Sequence, residues 1–195
     1  SVTGISFENT ASYTVYPGDI SKQVLKVNLT ADSPDTLYSF EFTNSSTADQ
    51  PADISAVRLW YQPGGGIFNP GTAQLAGVLP RVSAKQWRND NLSIQVGNGG
   101  ALYAAVDIAI SATGSNGIKT KLSGGYIKFT GGGSYPNNTI NNSGTQTISN
   151  PGYLIVSASD YMPLKADRGQ ADIRAMKIKL VNTLSASSMQ VTALR

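Results

Sequence analysis

Short stretches in which apolar and polar residues alternate one for one recur along this chain, and they limit its fold more than any other feature. In QVLKVNLTA, Leu25, Val27 and Leu29 fall on one face, with Lys26 and Asn28 on the other. In LYSFEFT, Tyr38, Phe40 and Phe42 oppose Ser39 and Glu41. In AVRLWYQ, Val57, Leu59 and Tyr61 alternate with Arg58 and Trp60. Successive side chains of a strand point to opposite faces, so this period reads as half-buried β-strand. Further strands are predicted at NLSIQV, ALYAAVDIAI, IKTKLS and YIKFT. Between them stand SPDT, QPGGG, GNGG, GSNG, TGGG and YPNN, all turn chemistry. No helical stripe competes, and the alternation of Met176, Ile178 and Leu180 with Lys177 and Lys179 reads as strand. The pattern predicts an all-β, antiparallel, Ig-like β-sandwich. Its expected core is Leu25, Val27, Leu29, Tyr38, Phe40, Val57, Leu59 and Tyr103.

Composition narrows the chemistry. The 195 residues are enough for a core without disulfides or metals. There is no Cys and no His, which removes thiol nucleophiles, zinc sites of the usual kinds, imidazole bases and Ser-His-Asp triads. A metal would need oxygen ligands alone, and no metal site or cofactor is predicted. Lys and Arg number 15 against 12 Asp and Glu, thinly spread, so no nucleic-acid partner is expected. No apolar run is long enough to span a membrane, so no direct membrane insertion is expected, and no signal peptide is visible. Ser1 is expected to follow either a cleavage point or an imposed boundary in a longer chain, and Arg195 reads as an abrupt end. Glycoside hydrolysis needs two carboxylates facing each other across a cleft, and neither Glu8 nor Glu41 has a nominated partner. The glycine runs GGGIF and GGGSY lack the Lys-Ser/Thr that a phosphate loop requires.

The chain also repeats itself. At an offset of 151, Gly18 meets Gly169, Leu25 meets Met176, Lys26 meets Lys177, Val27 meets Ile178 and Leu29 meets Leu180. We expect a complete module over 1–150 and the start of a second, incomplete copy over 151–195. Its strands would need cover from the first module or from another chain, with self-association through the C-terminal strands as one outcome.

Three stretches, VLKVNLTADSPDTLYSFEFTN, ADISAVRLWYQPGGGIF and GGALYAAVDIAISATGSNGIKTKL, are followed by GGGSYPNN and NNSGTQTI. In this order they resemble the β-sandwich domain found at the N-terminus of BNR-repeat sialidases and repeated in large bacterial surface proteins. The resemblance covers residues 18 to 148. It implies a module that accompanies catalytic domains without being the enzyme, with a structural or carbohydrate-associated role. It also implies an extracellular or cell-surface location in a bacterium. The sequence departs from the pattern at Ala104, Ala105 and Val106, at GSNG, and at Gln146, where Arg is common.

The candidate residues follow. Asp107 lies inside the apolar run AAVDIAIS, on the face of Ala105 and Ala109. A carboxylate there is expected to accept main-chain N–H bonds from an adjacent loop. Asp53 in PADIS is read the same way, closing a turn. Trp60 beside Arg58, and Trp87 beside Arg88 in the polar stretch SAKQWRNDN, are the candidates for stacking on sugar rings. The competing reading packs Trp60 under a loop or against the next domain. Lys26 and Glu41 are expected to face solvent. The chain is thus expected to be a non-catalytic structural and interaction module of a surface or secreted protein, with neighbouring domains of the same polypeptide as partners. A carbohydrate-binding module and an accessory domain of a sialidase-like enzyme stay open beside it.

Overall fold

The computed structural model describes residues 1–149, together with the main chain of two strands, 154–160 and 176–182. In chain order the strands are β1 (Val2–Glu8), β2 (Tyr13–Val15), β3 (Lys22–Ala31), β4 (Asp35–Asn44), β5 (Ile54–Gln62) and β6 (Gln74–Val78). Then come β7 (Arg81–Ser83), β8 (Gln86–Asn89), β9 (Ile94–Val96), β10 (Ala101–Ile108), β11 (Gly117–Ile118) and β12 (Thr120–Leu122). The last are β13 (Ile127–Phe129), β14 (Ser134–Tyr135), β15 (Ile140–Asn141), β16 (Gln146–Ile148), β17 (Leu154–Asp160) and β18 (Met176–Asn182).

The protein is all-β among the described residues, with antiparallel sheets packed as a sandwich. One sheet runs β1-β3-β10-β5-β6. The other is built on β4, which pairs with β13 and β12 along one edge and with β9 and β8 along the other. A small third sheet, β11-β16-β2, contains the parallel pair β16 and β2. The chain divides into two units, Ser1–Asn150 and Pro151–Arg195. In the second unit β17 pairs antiparallel with β18, so 176–182 is strand, as its alternation predicts.

The core lies between the two main sheets. Leu25, Val27, Leu29, Val57, Leu59, Leu102, Ala104 and Val106 meet Leu37, Phe40 and Phe42 there, all buried. Each large side chain removed from water contributes about 1.5–3 kcal/mol. Two expected core residues sit elsewhere. Tyr38 is exposed, because the alternation of β4 breaks between Leu37 and Phe40. Leu37 pairs with Ile94 but Phe40 with Asn89, so the partner chain advances faster than β4 there. The register also shifts on the opposite edge, between Lys128 and Phe129. This irregularity brings Leu37 inward in place of Tyr38. Tyr103 is fully buried but alternates with Leu102 and Ala104, so it lies on the outer face of its sheet.

The segment before β2 is held against the segment before β16. Asn142 accepts from the Thr10 N–H at 2.9 Å and donates to the Thr10 carbonyl, while Gln146 donates to the Ala11 carbonyl at 2.9 Å. Gly144 sits where these main chains touch. A Cβ at 144 would collide with the Thr10 carbonyl oxygen and lie 2.7 Å from the Ala11 carbonyl carbon. Gly144→Ala is therefore expected to lower stability by about 1–3 kcal/mol, as overpacking does. Urea unfolding checks this, and an unchanged midpoint would refute the close approach.

Candidate functional site

The outer face of the five-stranded sheet carries the first pair of nominated residues. Direct pairing lines up Glu8, Lys26, Tyr103, Trp60 and Leu75 across five strands. The next row places Gln23, Ala105, Arg58 and Val78 side by side. The connection from β5 to β6 folds back over this face. Its Phe68 stacks on Tyr103 with ring centroids 5.1 Å apart and tilts against Trp60 at 6.0 Å. The Tyr103 hydroxyl donates to the Gly66 carbonyl at 2.8 Å, and the Gln62 amide donates to the carbonyls of Gly65 and Ile67. Burial raises the Tyr103 phenol above its ordinary range. Trp60 is thus half-buried beneath the chain's own loop, and its indole N–H is shut from solvent without an acceptor. Lys26 is not a solvated residue, since its side chain is 12% exposed and pairs with Glu8 at 2.6 Å.

Arg58 forms an ion pair with Asp107. The other carboxylate oxygen of Asp107 accepts the Ser21 N–H at 2.8 Å. Ser21 has φ 51°, a left-handed conformation that is unfavourable for a residue with a Cβ. Asp107 thereby holds the turn that leads into β3. Asp53, 3% exposed, accepts the Thr113 N–H and the Asn116 side-chain N–H, both at 2.9 Å, and the Asp49 N–H at 3.2 Å. It ties the stretch before β5 to the GSNG loop.

The second nominated pair lies on the other sheet. Trp87 is not on an exposed loop. It sits in β8, opposite Phe42 of β4, and is fully buried. Its ring stacks on Phe42 at 5.3 Å, and its indole N–H donates to the Gln50 side chain at 2.7 Å. A polar neighbourhood in sequence hid this, because SAK and RND flank a single inward residue of a short strand. Trp87 is therefore unavailable to a sugar. Arg88 bonds Asp90 at 2.9 Å and lies 3.6 Å from Glu41. Glu41, expected to face solvent, is 2% exposed and accepts from the Gln86 amide at 2.7 Å. The four nominated side chains thus sit on two different sheets and do not converge.

Other polar residues carry more than the sequence suggested. Asp35 accepts the N–H groups of Val2, Thr36 and Gly131 at 2.8–3.0 Å, and the Thr130 hydroxyl at 3.1 Å. Burial pushes its carboxyl up, but those donors outweigh burial and hold it below its ordinary value. Asn44 donates to the carbonyls of Ala48 and Gly117 and accepts from Ser46 and Lys119, which saturates its amide. Asp49 receives a two-pronged Arg81 guanidinium at 3.0 and 2.8 Å. Those bonds are the largest influence holding its carboxyl at about 2, with the N–H groups of Gln50 and Lys85 adding to them against burial. Among the described residues no group of three or more potential metal-ligating side chains gathers.

An open groove of about 440 Å³ lies at the Pro34 end of the sandwich, lined by Pro34, Tyr61, Pro63, Gln74, Gln95 and Gly97. The Tyr61 hydroxyl accepts the Gly97 N–H there at 2.9 Å.

No protein-family model matches this chain. No curated protein matches it either.

Two outcomes are expected. Trp87→Ala should cost about 3–5 kcal/mol, as removal of a buried Trp does, with calorimetry as the measure. An unchanged melting temperature would show that Trp87 is not packed as described. Because the folded-state pKa values of Asp49 and Asp35 are depressed, their stabilisation is present above about pH 4 and is lost as pH falls through their folded values, which for Asp49 is about 2. Asp49→Asn should lose about 1 kcal/mol at pH 6 and show a shallower decline between pH 4 and 2. Parallel melting curves for the two proteins across that interval would contradict this.

Proposed function

We propose that this chain is a structural and interaction module of a surface or secreted bacterial multidomain protein, with its neighbouring domains as partners. The observation that carries the reading is the use made of its buried acids. Asp35, Asp53 and Asp107 each accept main-chain N–H groups from a segment distant in sequence. Such carboxylates act as locks between loops, and their oxygens are occupied by donors that a substrate or metal would have to displace. The motif resemblance points the same way. No helix among the described residues is long and apolar enough to cross a membrane.

A glycan-binding role is the second reading. Trp87 no longer supports it, and Phe68 covers Trp60. The observation that favours it is the groove beside Tyr61, whose two glutamine amides, Gln74 and Gln95, have the chemistry to bond sugar hydroxyls.

A glycan array, read together with a panel of fluorogenic glycosides, tests the proposal. Neither binding nor turnover is the expected result. Binding that Gln95→Ala abolishes would replace the module reading with the glycan one, and turnover of any glycoside would refute both.

A further inference from the structure

The dipeptide Asn-Gly stands at Asn98–Gly99 and again at Asn116–Gly117. Such a pair can react with itself. Glycine has no side chain to shield its main-chain nitrogen, which can then reach the side-chain carbonyl carbon of the preceding asparagine. The fold treats the two pairs differently. The side-chain nitrogen of Asn116 donates to the buried Asp53 carboxylate at 2.9 Å, and the Gly117 N–H donates to the Thr47 hydroxyl at 2.8 Å. Gly117 is itself buried in β11, and a Cβ there would lie 2.6 Å from the Ser46 hydroxyl oxygen. Leaving group and nucleophile are both held, in a space with no room for a new ring.

At the first pair both residues are exposed, and Gly99 has φ 72° in the turn that leads into β10. Nothing lies within 4 Å of where a Cβ at 99 would stand. Here the side-chain oxygen of Asn98 is the bonded atom, and it accepts the Ala31 N–H at 3.2 Å. Among the described residues its side-chain nitrogen has no acceptor. A donor on that oxygen draws electron density from the carbonyl carbon and stands where negative charge collects when a nucleophile adds. The Gly99 N–H must first leave the Leu29 carbonyl, to which it donates at 3.1 Å. That is a single bond at a solvent-exposed strand end, where opening is frequent.

We propose that Asn98 is a site of spontaneous deamidation, with the Ala31 N–H as the donor that stabilises the developing oxyanion. Hydroxide takes the proton of the Gly99 main-chain nitrogen, which attacks Cγ of Asn98. The new N–C bond forms, the Cγ–Nδ2 bond breaks, and ammonia leaves with a proton from water, which restores the hydroxide. Water then opens the cyclic succinimide at either carbonyl, leaving aspartate or isoaspartate at 98. The aspartate form keeps an acceptor for Ala31 and adds a charge. The isoaspartate form adds a methylene to the main chain before Gly99, where Leu29 exchanges bonds with Gly99 and Gly100. That turn cannot easily relax, because a Cβ at Gly100 would lie 2.5 Å from the Tyr61 ring. Conversion is thus a time-dependent change at the entry to β10, and it is independent of whether the module binds a sugar.

The test incubates the full 195-residue chain in mildly alkaline buffer beside synthetic peptides of residues 93–103 and 111–121. Peptide mapping by mass spectrometry follows the conversion of each amide to an acid and separates aspartate from isoaspartate. In the folded chain Asn98 is expected to convert at least as fast as in its peptide. Asn116 is expected to convert at least about tenfold more slowly than in its own. Asn98→Ser should abolish the mass gain over 93–103. An ester in place of the amide between Thr30 and Ala31 removes the Ala31 N–H alone, and it should slow conversion at Asn98 roughly tenfold. Conversion at Asn98 slower than in its peptide, conversion at Asn116 that keeps pace with its peptide, or an unchanged rate in the ester variant would each overturn the proposal.

Discussion

All eight residues of β10 are buried, so this strand is covered on both faces, and much of the surrounding structure follows from that condition. A strand in a sandwich ordinarily presents one face to the core and the other to water. Here Leu102, Ala104 and Val106 fill the inter-sheet core, while Tyr103, Ala105 and Asp107 lie on the outside of the sheet and still lose water. The outer face therefore needs its own cover. The loop carrying Phe68 closes over Tyr103 and Trp60, and the Ser21 turn with Arg58 closes around Asp107.

Once that cover is in place, the roles of the polar residues become interpretable. A buried carboxylate is tolerated when its oxygens are satisfied, and main-chain N–H groups from folded-back loops are the donors at hand. Asp35, Asp53 and Asp107 repeat this arrangement at separate junctions, and Asn44, a neutral side chain, likewise accepts the Ser46 and Lys119 N–H groups. Loops rich in Gly, Ser and Asn have little apolar surface with which to anchor themselves. Their order comes instead from these side-chain bonds, which explains how a chain with so few charged residues keeps several of its acids inside.

The candidate site was legible only in part. Asp107 is conspicuous in the sequence as an acid inside an apolar run and Asp53 as a turn-closing acid before a strand, whereas Asp35 and Glu41 give no such signal. Asp35 opens a strand after a proline, and its donors at Val2 and Gly131 lie far off in sequence. The burial of Trp87 is not legible locally, because polar neighbours in a four-residue strand resemble a loop. Tyr38 departs from strict alternation because of the irregularity in β4, which no local period signals.

The sequence by itself determined strands β3, β4, β5, β9, β10, β12, β13 and β18, the sandwich class and the 151-residue offset, but not the edge and short strands such as β1, β6 and β8. Each of these depends on neighbours a few positions apart or on a repeat of the same local pattern. The tertiary structure alone decided which outward faces are dry, where Trp60 and Trp87 lie, and which N–H groups the buried acids hold. Covering the second face of a sheet depends on segments dozens of residues away, and no local period encodes which loop will arrive there.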